Sequence, residues 1–155
     1  MKYNIREANK NDMQKVLELI KELAKFEKEL DQVELNVTDL IEDSFNKSLF
    51  KTFIAEQNQT IIGAAIIYYR YSTWKGKSMH LEDLIITKEK RNCGVGTLLL
   101  SQIINYARKE NIKRVSWEVI NWNENAIEFY LNKGAKIKKD WSIVHLDENG
   151  IKNYK

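Results

Sequence analysis

At 155 residues, with 43% hydrophobic and 30% charged content, the chain has the size and composition of one soluble globular domain with a core of its own. Its 25 basic and 22 acidic residues intermingle to a net charge of +3, too even a mixture to imply a nucleic-acid partner, and the single cysteine, Cys93, excludes an internal disulfide. One Cys and two His, His80 and His145, argue against a metal site; the opening MKYNIREANK has no apolar signal segment and no run is long enough to span a membrane, so the expectation is a cytoplasmic protein without metal.

No linker, low-complexity tract or repeat interrupts residues 1–155, which read as one domain. YNIREA is a first strand. Asn11 with Gln14 three residues later has the form of a capping box for a first helix, whose apolar stripe runs Met13, Val16, Leu17, Ile20, Leu23 and Ala24. Glu27 falls next in that stripe, where an apolar residue is expected. Asn36 with Asp39 opens a second short helix. LFKTFIAEQ and TIIGAAIIYYRY are strands joined by a tight turn at Asn58 and Gln59, and SMHLEDLIIT is a fourth strand. A helix from about Gly94 to Glu110 follows, then the strand KRVSWEVI. Asn123 caps a helix through NAIEFYLNK that Gly134 stops, and WSIVHL closes the chain as a last strand. The order β-α-α-β-β-β-α-β-α-β predicts an α/β fold with a mixed sheet flanked by helices.

The chemistry begins at EKRNCGVGTLLLSQII, residues 89–104. Two of the six glycines, Gly94 and Gly96, stand where an apolar helix starts, three residues beyond Arg91. Glycine there is unfavourable unless bare N–H groups are wanted, and positive charge beside a helix N-terminus suits a phosphate. A dinucleotide fingerprint would need a third small residue where Leu99 stands, and a Walker loop ending at Gly76-Lys77-Ser78 would need a glycine where Tyr71 stands. What remains is Arg-x-x-Gly-x-Gly opening a helix directly after an acidic-apolar strand.

RNCGVG after LEDLIIT, followed by NWNENAIEFYLNKGA, resembles the GNAT acetyltransferase superfamily, whose fold is a mixed, mostly antiparallel sheet flanked by helices. LIKELAKFEKELDQV, YSTWKGK and LEDL resemble its diamine acetyltransferase subgroup, which contains spermidine/spermine and thialysine acetyltransferases, over about Ile5 to Leu146. The resemblance implies acetyl-coenzyme A as cosubstrate. Its pyrophosphate would be held by Arg91, Asn92, Cys93, Gly94, Val95, Gly96 and Thr97, its pantetheine arm paired along Leu84, Ile85 and Ile86, with Asn123, Asn125, Ala126 and Tyr130 beside it. The resemblance also implies a homodimer and a small amine as acceptor.

Acetyl transfer to an amine requires that an ammonium lose a proton, that an oxyanion be stabilised, and that a thiolate leave. Tyr130 matches the family's tyrosine and would protonate the thiolate; read from periodicity alone it is a core aromatic after Ala126 and Ile127. Glu82 matches the subgroup's glutamate that accepts the amine's proton. Strand alternation sends Asp83 to the opposite face from Glu82 unless a bulge intervenes, and Asp83 is otherwise a strand-end carboxylate. Phe26 and Glu27 match a pair bordering the amine site, and Trp74 and Trp141 offer aromatic walls for an ammonium or plain packing. The rival function is a non-catalytic acetyl-CoA sensor, and protein amines are an alternative acceptor. Two departures from the polyamine enzymes, the short KIKKD before Trp141 and Ser72 in place of an aspartate ahead of Trp74, remove acids and point to the thialysine branch.

Overall fold

The structure is a computed structural model that describes residues 3–155. The chain divides into two compact units, residues 1–118 and 119–155. The first is a five-stranded mixed sheet with helices on both faces. Its strands are β1 (Asn4–Glu7), β2 (Lys51–Gln57), β3 (Thr60–Ser72), β4 (Gly76–Ile86) and β5 (Val115–Ser116); its main helices are α1 (Met13–Glu27), α2 (Val37–Ile41) and α3 (Val95–Lys109). The strands lie in chain order, antiparallel from β1 to β4, and β5 runs parallel to β4.

Alternation along the strands divides the core. Ile54, Ala64, Ile66 and Ile85 face α1, where they pack with its stripe of Met13, Val16, Leu17 and Leu19. Phe53 points the other way, its ring 5.5 Å from that of Tyr106 on α3. A Cβ built at Gly63 would lie 2.8 Å from the backbone oxygen of Ile85 and 3.2 Å from Cδ1 of Leu99 on α3, so glycine here lets β4 and α3 close on β3.

Several local signals act where the sequence puts them. Asn36 accepts from the N–H groups of Thr38 and Asp39 while Asp39 accepts from Asn36 N, a complete capping box. Asn58 and Gln59 both take left-handed φ, 50° and 63°, as a two-residue hairpin turn demands. The first helix starts differently from expectation. The capping box is Asn9 with Asp12, around a single 3-10 turn at Lys10–Asp12, and not Asn11 with Gln14. Arg6 explains the choice: its guanidinium binds both oxygens of Asp12, at 2.7 and 3.0 Å, and Glu56 at 2.6 Å, pinning β1, β2 and the helix start together.

Two predicted strands are corrected. KRVSWEVI forms a ladder only at Val115 and Ser116, opposite Met79 and His80. WSIVHL is no strand: residues 141–146 have no regular structure and are exposed, because none of the described residues offers them a ladder. The second unit holds α4 (Glu124–Asn132), stopped by Gly134 at φ 85°, and a short α5 (Glu148–Lys152). Gly63→Ala is expected to lower the stability of the protein by about 2 kcal/mol, as overpacking does, without changing the fold. Chemical denaturation checks this, and an unchanged midpoint contradicts it.

Candidate active site

The glycine loop is built by backbone that few residues adopt. Asn92 and Gly94 take positive φ, 60° and 81°, so the chain reverses after β4 and starts α3 at Val95, which is buried as its anchor. Gly94 brings no side chain to cap the first turn, which leaves the leading N–H groups of α3 open to an anion. Cys93 is exposed in this loop. Arg91 donates from Nε to the Ile86 carbonyl at 3.0 Å and lies over the Phe26 ring at 5.2 Å.

The loop is fastened from below by Glu22, a residue the sequence reading did not single out. Its carboxylate accepts from Thr87 Oγ1 at 2.9 Å and Lys88 N at 2.7 Å and lies 3.6 Å from Arg91. Glu22 and Phe26 sit four residues apart on α1, so one helix face meets the loop twice.

Beyond His80, no strand among the described residues ladders with β4 on its β5 side, so Leu84, Ile85 and Ile86 offer an edge for extended-chain pairing. On the same strand lies the site's decisive irregularity. Ile66 pairs with Asp83 but Ile67 pairs with Leu81, so Glu82 is an extra residue without an opposite number. Asp83, opposite Ile66, belongs to the α1 face, and the bulge brings Glu82 alongside it, overturning the strict alternation that would separate them. Burial first, then the charges of Glu82 and Glu27, push the Asp83 carboxyl up to about 7. Burial, and then Glu29, also raises Glu27 on α1. The neighbours that move these two groups are all acids, so the cluster gathers like charge on one face of the sheet.

The remaining predicted residues lie elsewhere. Trp74 is 79% exposed in the β3–β4 turn, before the start of β4 at Gly76, which itself stands six positions and so roughly 20 Å along the strand from Glu82. In the second unit, Asn123 caps α4 by accepting from Ala126 N at 3.3 Å, Asn125 is exposed, Tyr130 is half-buried with its ring edge-on to Phe129 at 5.2 Å, and Trp141 is 69% exposed. A cavity of about 220 Å³ opens near the start of β2, between Phe45, Phe50, Ile67, Met79 and Tyr106, and none of the predicted residues lines it.

The family model for the "Acetyltransferase (GNAT) family" matches residues 13–134. The chain belongs to the GNAT acetyltransferase family. A thialysine N-epsilon-acetyltransferase from Bos taurus is 33% identical over 141 residues, covering 85% of this chain and 83% of its own. A spermidine/spermine N(1)-acetyltransferase-like protein 1 from Homo sapiens is 34% identical over 141 residues, covering 86% of this chain but 20% of its own. Among solved structures, an integron cassette protein from V. cholerae superimposes with a TM-score of 0.80 at 21% identity, over 98% of this chain and 96% of that one, which shows the fold.

Acetyl-coenzyme A is the cosubstrate of the GNAT family, and this acetyltransferase has the features to fit it: an uncapped helix start behind a left-handed glycine, and an open strand edge leading to it. The acid cluster carries a consequence for stability. Asp83 holds its proton more tightly folded, at about 7, than unfolded, at 3.8, so its own contribution to stability is fully present below about pH 4 and is lost as pH rises from about 4 to about 7. Asp83→Asn is therefore expected to raise the melting temperature at pH 8 and to leave it nearly unchanged at pH 4. A gain of equal size at both values in thermal denaturation contradicts that assignment.

Proposed function

We propose that this chain transfers acetyl from acetyl-CoA to a primary amine of a small molecule by direct attack in a ternary complex. The observation that carries the proposal is the bulge that sets Glu82 and Asp83 on the face where α1 presents Glu27. Three carboxylates that act on one another electrostatically attract an ammonium, which binds with its charge matched rather than buried alone.

In this reading the Arg91–Thr97 loop binds the pyrophosphate through its amides and the Leu84–Ile86 edge pairs with the pantetheine arm. Phe26 and Glu27 border the amine. Glu82, the most solvent-accessible of the three acids, accepts the ammonium's proton, directly or through one water, which frees the nitrogen lone pair for attack on the thioester carbonyl. As the carbon–sulfur bond breaks, the Tyr130 hydroxyl gives its proton to the thiolate. The support for Tyr130 is its place in FYLNKGA, which matches the family's motif. Tyr130→Phe is expected to retain cofactor affinity and lower turnover by about 10²-fold; wild-type turnover in that variant would return the ring to a packing role.

A lysine-like amino acid, with thialysine first, is the acceptor we favour over spermine. Glu27, Glu82 and Asp83 suffice for one ammonium, whereas a polycation rewards acids spread further along its length. Ser72, which replaces an acid of the polyamine enzymes, serves the β3–β4 turn by accepting from the N–H groups of Trp74 and Lys75 at 3.3 and 3.1 Å. The bovine relative's name points the same way. Steady-state assays over a panel of amines should give a higher kcat/KM for thialysine than for spermidine or spermine, and the reverse order would place the chain in the polyamine branch.

A homodimer completes the proposal. Its support is the resemblance together with the exposed apolar residues of the second unit, Trp141, Ile143, Val144, Leu146 and Ile151, which water solvates poorly. Light scattering should give twice the 18.3 kDa chain mass, and a value near 18.3 kDa rejects the dimer.

A further inference from the structure

His80 lies on β4 two residues before Glu82, pairs across to Tyr68 on β3 and is 5% exposed. The steps of acetyl transfer described above make no use of it. The groups that face it are Tyr68 and Arg70 from β3, Glu82 from its own strand, Ser116 from β5, and Glu118 just beyond.

The contacts fix its tautomer. The Arg70 guanidinium lies 3.1 Å from Nδ1, and a guanidinium only donates, so Nδ1 is the acceptor and the ring proton is on Nε2. Nε2 lies 3.7 Å from Oε2 of Glu82, whose side chain is 53% exposed; a small rotation of that carboxylate closes the gap to a hydrogen bond. Tyr68 also faces Glu82, whose charge and proximity, after burial, raise the phenol's pKa, and its ring lies 5.2 Å from the imidazole. A second proton on the imidazole would have to sit on Nδ1, against the guanidinium. Burial chiefly, with Arg70 adding and Glu82 and Glu118 opposing, lowers the tendency of His80 to take that proton. The ring is thus a fixed N–H donor and no proton shuttle.

Glu82 needs such a donor. It is the extra residue of a bulge, so no opposite strand residue holds it, and a flexible, half-exposed glutamate would otherwise spread over several rotamers. We propose that His80 is a positioning residue: held in its Nε2–H tautomer by Arg70, it works with the Tyr68 hydroxyl to aim the Glu82 carboxylate at the acceptor amine. This rests on Glu82 being the group that accepts the amine's proton.

Two measurements on the full chain test it. Nitrogen-15 NMR of the imidazole at pH 7 should show the neutral Nε2–H tautomer; a dominant Nδ1–H form overturns the proposal. In steady-state kinetics, His80→Phe keeps an aromatic ring and removes both nitrogens. It should lower kcat by about tenfold or more, as misplacement of a reacting group does, shift the acidic limb of the pH profile, and leave the KM for acetyl-CoA unchanged. His80→Gln, which restores an N–H donor, should recover most of the loss. Wild-type kcat in His80→Phe, or no recovery in His80→Gln, overturns the proposal. If His80→Phe does not fold, Arg70→Leu carries the test from the surface: it should mix the tautomers and lower kcat, and unchanged kcat overturns the proposal. Because the tautomer is read without turnover, a wild type with the Nε2–H form that acetylates no amine contradicts the acetyl-transfer reading alone.

Discussion

One extra residue in β4 sets where the acids of this sheet lie. With a regular ladder, alternation would turn Glu82 and Asp83 to opposite faces, one toward α1 and one toward α3. The register shift between Ile66 and Ile67 makes Glu82 supernumerary, and both acids come to the α1 side, where Glu27 waits. The arrangement is unfavourable in the empty protein, because burial and like charges hold Asp83 at about 7. On the proposed reading a bound ammonium would relieve that repulsion, so the same placement that disfavours the isolated cluster would favour its complex.

The strand also sets the order of events along its length. Upstream, β4 is paired on both sides at Met79 and His80; from the bulge onward no described strand pairs on its β5 side, and its end runs into the glycine loop. Acids, open edge and anion-binding amides are thus consecutive features of one strand and the turn that follows. Helix α1 spans the same features. Glu22 fastens the root of the loop, Phe26 lies against Arg91, and Glu27 completes the acid cluster, so a shift of α1 would disturb the glycine loop and the acid cluster together.

Much of this was legible in the sequence wherever the signal was local. Asn36 with Asp39, the Asn58–Gln59 turn, Gly94 and Gly134 each declare their conformation within four residues of chain. Glu27 was legible as a polar break in an apolar stripe. What was hidden depended on partners distant in sequence. The bulge is a property of two strands, and only its possibility could be stated from β4. The cap moved from Asn11 to Asn9 because Arg6, itself held by Glu56 of a second strand, claims Asp12. His80 in an apolar strand reads as core until Arg70 fixes which nitrogen carries the proton. Residues 141–146 have the apolar content of a strand, but no described residue gives them a ladder, and composition alone does not make one.

The central claim is that Glu27, Glu82 and Asp83 form a ready-made ammonium site with Asp83 part-protonated when empty. Calorimetry of a primary alkylamine binding to the protein and coenzyme A, which has no acetyl group to give, tests it most directly when run near pH 7 in buffers of different ionisation enthalpy. The account predicts that binding releases a proton from Asp83, so the observed heat varies with the buffer, and that the dependence disappears in Asp83→Asn. Amine binding with heat that is independent of the buffer would contradict it.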